Sequence, residues 1–327
     1  MIRRVSVENV LGKVSATGVL PVIKIEKLED ARPLALAFLV AGIGAMEVTF
    51  RNDVAADAVK AIKDAYPEMV VGAGTILSPN LARQAMGAGA DFLVSPGYNP
   101  VTVSYCLEHG ITIVPGCSTP TELETAVSAG LQTVKFFPAE LGGGVVALKL
   151  LSGPFPNLQF IPTGGINYSN LRSYLSNGFV AACGGSFMAK ATLIREGQWD
   201  KITENSRKAL QISLGFELAH VGINHNDRSE ALTNAAAMDR VFPLGVKVGS
   251  EKSSFLGTAV EFMHLPSYDS NGHIGFWTNS CERSRAYFEK QGLAIREDSI
   301  VRDEKGRMKY FYLADKIGGF ELHVVRK

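Results

Sequence analysis

Between residues 18 and 190 the chain alternates short β-type runs with helical patterns at a spacing of about 20–25 residues, and few folds accommodate such regularity. The β-type runs fall at 19–25, 46–50, 70–76, 92–95, 112–115, 133–137, 158–162 and 180–183. Helical stretches lie between them, for instance at 53–66, 80–87, 120–128, 145–151 and 170–176, and a longer one follows at 199–212. Eight such units predict an α/β fold, a closed (β/α)8 TIM barrel. An open doubly wound sheet is the alternative, but it does not require eight regular units. Residues 7–14 read as an extra helix closing the bottom of the barrel.

The pattern changes after Leu214. Glu217-Leu218-Ala219-His220-Val221-Gly222-Ile223 and Gly272-His273-Ile274-Gly275-Phe276-Trp277 resemble each other, and each precedes a helix and then several strands. The two copies end in Ala259-Val260-Glu261-Phe262 and Gly319-Phe320-Glu321-Leu322. This is an internal βαβββ repeat with a period of about 53 residues, too short for one copy to bury its own sheet face. It makes a smaller α+β domain, so the expected domains are 1–213 and 214–327. A length of 327 residues suits two domains.

A formal net charge of +1 gives no bulk field that argues for nucleic acid or an anionic membrane as partner. The longest apolar run, 33–46, contains two glycines and is too short to span a bilayer. The first residues carry no signal-peptide pattern. The four cysteines lie far apart without CxxC spacing, so neither a disulfide framework nor a zinc knuckle is indicated. A cytoplasmic location is the expectation.

Chemistry concentrates on two predicted strands. Lys135 sits in the apolar run Thr133-Val134-Lys135-Phe136-Phe137-Pro138, where a lysine needs a reason. Desolvation disfavours its ammonium form, and a lysine tuned that way can attack a ketone. The bland alternative is a lysine snorkelling at a strand end. Glu47, Thr49 and Arg51 share strand parity and face the same interior, while Met46, Val48 and Phe50 pack outward. Burying several charges without function is costly, although a structural ion pair would also explain them. Gly164-Gly165 and Gly184-Gly185 follow the last two strands, where barrels often bind phosphate through backbone N–H groups.

These residues carry a resemblance. Leu20-Pro21-Val22-Ile23, Glu47-Val48-Thr49-Phe50-Arg51, Gly72-Ala73-Gly74-Thr75, Ser95-Pro96-Gly97, Pro115-Gly116, Lys135 to Glu140, Pro162 to Ile166 and Gly184-Gly185-Ser186 occur in order along the chain. From about 8 to 210 it resembles the 2-keto-3-deoxy-6-phosphogluconate and 4-hydroxy-2-oxoglutarate aldolases, class I pyruvate aldolases that are typically homotrimers. The resemblance implies Lys135 as Schiff-base nucleophile and Glu47 as acid/base. It implies Arg51 and Thr75 on the pyruvyl carboxylate, with Pro96 and Phe137 as pocket wall. Thr163, Gly164, Gly165 and Ser186 would take a distal phosphate or carboxylate. Keto acid and aldehyde substrates follow, with no cofactor for the aldolase half. Phe187 and the charged Lys24-Ile25-Glu26-Lys27 stretch depart from the pattern and bear on the far end of the pocket. A phosphate-binding isomerase or epimerase, without imine formation, is the alternative.

Residues 216–327 resemble the vicinal oxygen chelate, or glyoxalase-like, superfamily, whose paired βαβββ units form a cup around a divalent metal. The resemblance implies His220, Glu261, His273 and Glu321 as ligands, suited to Zn, Ni, Fe or Mn. His225, His264 and His323 read as surface or supporting histidines. This half would be a metal-dependent enzyme, a binding module, or an assembly element.

Overall fold

The computed structural model describes residues 7–266 and 271–327, and the chain divides into two units, Met1–Ser213 and Leu214–Lys327. Residues 1–6, which bear on the expected absence of a leader, lie outside the described residues. No helix among the described residues is long and apolar enough to cross a membrane.

The first unit runs α1 (Val7–Thr17), β1 (Val19–Ile23), α2 (Ala31–Val40), β2 (Ala45–Thr49), α3 (Ala55–Ala65), β3 (Val70–Gly74), α4 (Pro79–Gly87), β4 (Phe92–Val94) and α5 (Pro100–Glu108). It continues β5 (Ile113–Val114), α6 (Pro120–Ser128), β6 (Thr133–Phe136), α7 (Gly144–Ser152), β7 (Gln159–Pro162), α8 (Leu171–Leu175), β8 (Cys183–Gly185), α9 (Ala191–Arg195) and α10 (Trp199–Leu214). Six strands form a curled parallel sheet in the order β5-β4-β3-β2-β1-β8, and β6 pairs with β7. Single bridges join Gly116 to Lys135 and Thr163 to Gly184.

Strand alternation separates two apolar layers. Met46, Val48 and Phe50 of the β2 segment pack among helix residues such as Ala55 and Val59. Leu20, Ala45, Val70, Phe92 and Ile161 face the other way and meet Val10 and Val14 of α1. Ala45, Val70 and Phe92 open their strands, so α1 covers the N-terminal end of the interior and leaves the opposite end for chemistry. Helix starts are locally encoded. Thr119 Oγ1 accepts from Glu122 N while Glu122 Oε2 accepts from Thr119 N, a reciprocal cap that starts α6.

The last strand begins at Cys183 rather than 180. Val180 makes one bridge to Phe160, whereas Cys183–Gly185 pair with Val19–Pro21 of β1. Gly184 and Gly185, expected after the last strand, lie within it, and a Cβ on Gly184 would fall 2.4 Å from Thr163 Oγ1. Close approach of two strands, not bending, explains that glycine.

The second unit contains β9 (Glu217–Asn224), α11 (Arg228–Val241), β10 (Val246–Val248), β11 (Ser253–Leu256) and β12 (Val260–Met263). The same order recurs in β13 (Gly272–Thr278), α12 (Cys281–Lys290), β14 (Ile295–Arg302), β15 (Met308–Ile317) and β16 (Phe320–Arg326). They form one eight-stranded sheet, β10-β11-β12-β9-β13-β16-β15-β14, with the first strands of the two repeats antiparallel at its centre. Each repeat packs a small apolar cluster, around Phe262 in the first and Phe311 in the second.

Candidate active site and candidate metal centre

On β2 the inward column is Ala45, Glu47 and Thr49, continued by Arg51. Glu47 is 2% exposed, Lys135 is 7% exposed, and Lys135 Nζ lies 3.5 Å from Glu47 Oε1. The amine also stands 5.4 Å from the centre of the Phe137 ring. Backbone makes room for the carboxylate, because a Cβ on Gly74 would fall 2.0 Å from Glu47 Oε1. The next residue, Thr75, holds a left-handed φ of 63°. A β-branched residue there is strained by about 1–3 kcal/mol. In that conformation its Oγ1 accepts from Arg51 Nε at 3.0 Å. The Pro96 carbonyl presses on Gly116, where a Cβ would lie 2.0 Å from the oxygen.

A cavity of about 350 Å³ has Arg51, Thr163, Gly164, Gly165 and Ser186 in its lining, whereas Lys135, Glu47, Thr75, Pro96 and Phe137 are not part of that lining. Gly164 and Gly165 have φ of 97° and 84°, a backbone that side-chain-bearing residues rarely adopt. Their turn is braced from behind. A Cβ on Gly165 would strike Glu140 Cγ at 2.5 Å, and Glu140 Oε1 accepts a 2.5 Å hydrogen bond from Tyr174. Burial, and then that hydrogen bond, hold the Tyr174 phenol above its usual range, so it remains a donor.

The structure thus brings Lys135 to Glu47 and Arg51 to Thr75, and sets the glycine turn and Ser186 around one cavity. It also lines the cavity with residues that the sequence set near the pocket without giving them a role. Thr49 lines the cavity, and its buried hydroxyl has no hydrogen-bond partner among the described residues. Its parity with Glu47 was the available signal. Lys24 and Glu26 also line the cavity, whereas Phe187 packs edge-on against Tyr168 at 5.0 Å.

In the second unit the register decides which side chains meet. Gly222 stands opposite His273, and Gly275 opposite His220, across the central antiparallel pair. Glu261 pairs with Gly222 and His323 with Gly275, so His323 is the repeat equivalent of Glu261. The nitrogens of His220, His273 and His323 lie within 4.8 Å of one another. His220 Nε2 is 3.0 Å from His273 Nε2 and 3.2 Å from His323 Nε2. Glu261 Oε2 completes the group at 3.1 Å from His273 and 3.4 Å from His220. Glycine again supplies the space, since a Cβ on Gly222 would fall 2.1 Å from His273 Cε1.

This corrects two expectations. Glu321 does not belong to the cluster: it is 1% exposed, and its Oε1 accepts from Arg296 Nη2 at 2.8 Å. His323, read as a supporting residue, takes that place. His225 and His264 are buried rather than superficial, and each has Nδ1 against a backbone carbonyl.

Burial, then the neighbouring imidazoles, pull His323 down to about 3, and burial likewise lowers His220. Burial pushes the Glu261 carboxyl up, but hydrogen bonds from His273 and Ser253 outweigh it and hold the group below its ordinary value. The cluster therefore gathers nitrogen and oxygen atoms that a metal ion could accept as ligands. A tetrahedral ion with metal–nitrogen bonds of about 2.0–2.1 Å sets its donor atoms about 3.3 Å apart. Three imidazoles and a carboxylate at these spacings could hold such an ion.

The family model described as KDPG and KHG aldolase matches residues 10–205. The 2-dehydro-3-deoxy-phosphogluconate aldolase of Treponema pallidum (strain Nichols) is 47% identical over 194 residues, covering 59% of this chain and 92% of the relative. The KHG/KDPG aldolase of Escherichia coli (strain K12) is 42% identical over 209 residues, 64% of this chain and 96% of that one. A crystal structure of KDPG aldolase from Legionella pneumophila, with pyruvate captured at low pH as a covalent carbinolamine intermediate, superposes with a TM-score of 0.60 at 37% identity. It covers 63% of this chain and 98% of that structure. With the matched segment spanning well over half of its length, the chain belongs to the KDPG and KHG aldolase family of lyases.

Proposed function

We propose that residues 1–213 form a class I aldolase that cleaves 2-keto-3-deoxy-6-phosphogluconate, 4-hydroxy-2-oxoglutarate or both to pyruvate and an aldehyde. The observation that carries this is the buried Lys135–Glu47 pair, with Nζ 3.5 Å from the carboxylate and no Cβ at Gly74 to displace it. The Lys135 amine adds to the C2 ketone and water leaves, giving a protonated imine. That imine accepts the C3–C4 bonding electrons as the C4 hydroxyl loses its proton and the aldehyde departs. Glu47 moves protons during dehydration and then returns one to C3 of the enamine. Hydrolysis frees pyruvate and the amine. Arg51 and Thr75 hold the keto-acid carboxylate, while Pro96 and Phe137 wall the reacting carbons. Thr163, Gly164, Gly165 and Ser186 receive the distal phosphate or carboxylate.

The reading includes closure of the parallel strands into a (β/α)8 barrel, supported by the single bridges on either side of the β6–β7 pair. It also includes a homotrimer, supported by the uncovered apolar side chains Leu141, Val146 and Leu150 in and beside α7. For residues 214–327 we propose a glyoxalase-like domain holding one divalent ion on His220, Glu261, His273 and His323. The two βαβββ repeats and the spacing of the four donor atoms support it. Imidazole-rich donors suit Zn, Ni or Fe over Ca. When bound, the ion supplies Lewis acidity toward oxygen ligands.

Borohydride reduction with pyruvate tests the aldolase reading: one adduct on Lys135 is expected, and labelling elsewhere or none removes the imine route. Metal analysis of the full chain tests the second: about one divalent ion per chain is expected.

A further inference from the structure

We propose that Lys24 is a specificity-determining residue that leaves its salt bridge with Glu26 to bind the distal anionic group of the substrate. This deepens the aldolase reading and rests on it. Three observations place the residue. Leu20 of β1 faces the interior cluster, Val22 and Lys24 follow at the same parity, and both line the cavity. Strand register sets its height. Val22 stands opposite Glu47, so Lys24 continues level with Thr49, and Pro21 stands opposite Gly185, just below Ser186. Lys24 therefore follows the end of β1, between the β2 strand and the Ser186 segment after β8, in a lining it shares with Gly164, Gly165 and Ser186.

Its segment is also fixed. Ile25 is 1% exposed in the helix layer, and Asn52 Nδ2 donates to the Ile25 carbonyl at 2.8 Å. With Ile25 anchored, its neighbours on both sides are turned to the cavity mouth.

The charges then compete. Lys24 Nζ is 3.2 Å from Glu26 Oε1, and both side chains are nearly half exposed. A pair this wet is weak, and an ammonium has three protons to share. Arg51, the other cation in the lining, is already directed to Thr75. Hydroxyls and backbone N–H groups around Gly164, Gly165 and Ser186 can bind an oxyanion but carry no full positive charge. Lys24 supplies it, while Glu26 repels an anion and so sets how strongly a charged tail is preferred over a neutral one.

Kinetics of the full chain with three keto acids test this, one with a phosphate tail, one with a carboxylate tail and one with a hydroxyl tail. For Lys24→Met, KM for an anionic tail should rise about tenfold with little change in kcat. The preference over the hydroxyl tail should fall by the same factor. Lys24→Arg should recover most of that preference, and Glu26→Gln should increase it. Whether the phosphate or the carboxylate substrate responds more identifies the anion read. Equal effects on all three tails, or no effect on any, overturn the assignment. Calorimetric binding of inorganic phosphate to Lys135→Met and to Lys135→Met with Lys24→Met gives a second readout that needs no turnover. Weaker binding in the double variant is expected, and equal binding refutes the role. Failure of pyruvate trapping would sink the aldolase reading separately, since Lys24 takes no part in imine formation.

Discussion

The Lys135 site and the histidine cluster both use a glycine to bring buried polar groups together, but they solve opposite problems. Around Lys135 the charges satisfy one another: ammonium meets carboxylate, and Arg51 meets the Thr75 hydroxyl. Such a site has polar partners in place for each of these groups before a ligand arrives, while the Arg51 charge is left for an anion. In the second unit three imidazole nitrogens and a carboxylate oxygen converge on one another. That arrangement is a cost until a positive charge enters. On the function proposed above, one site reacts through its own side chains and the other takes up an ion.

Lys135→Met is the sharpest way to break the comparison. It should lower kcat by about 10⁴-fold or more and abolish borohydride trapping, with metal content of the full chain retained. A Gly74→Ala substitution should come next. Its methyl would displace the Glu47 carboxylate, and a misplacement of this kind costs about 10²-fold in kcat. Full activity would mean that Glu47 is not held for proton transfer.

Within the cluster, His323→Gln should weaken divalent-metal affinity by at least about tenfold, and Glu321→Gln should weaken it less. Cobalt(II) absorption titration ranks the two, and the reverse order would return the fourth position to Glu321. The smallest effect concerns acid. His323 and His220 are depressed in the folded chain, so below about 6.5 the unfolded state binds protons that the folded state refuses. The metal-stripped second unit should lose stability, by a few kcal/mol at most, as pH falls from about 6.5 toward 3. Tm of the chelated chain across that range measures it, and a bound ion should deepen the acid loss by being released.

Much of the alternating strand and helix order of the first unit was legible because its information is local and periodic. Period-two parity sent Glu47, Thr49 and Arg51 inward and Met46, Val48 and Phe50 outward. What escaped was register. Glu321 and His323 are two residues apart on one strand and point to the same face, so repeat matching by a shared Phe-Glu or Glu-Phe motif cannot separate them. Only the partner does: His323 sits opposite Gly275, as Glu261 sits opposite Gly222. The paired glycines of β8 were opaque for a related reason, because a strand that must approach Thr163 closely has the composition of a turn. Lys24 was legible as a charge near the far end of the pocket, but its place in the cavity lining beside Glu26 was not.

The four converging donors come two from each βαβββ repeat, on either side of the β9–β13 seam. An ion bound there is a rivet through that seam. Loaded, the two halves should come apart only together, in a single unfolding event whose rate follows ion dissociation. Stripped of the rivet, the seam becomes the place where the second unit opens first, and hydrogen exchange along β9 and β13 would register it.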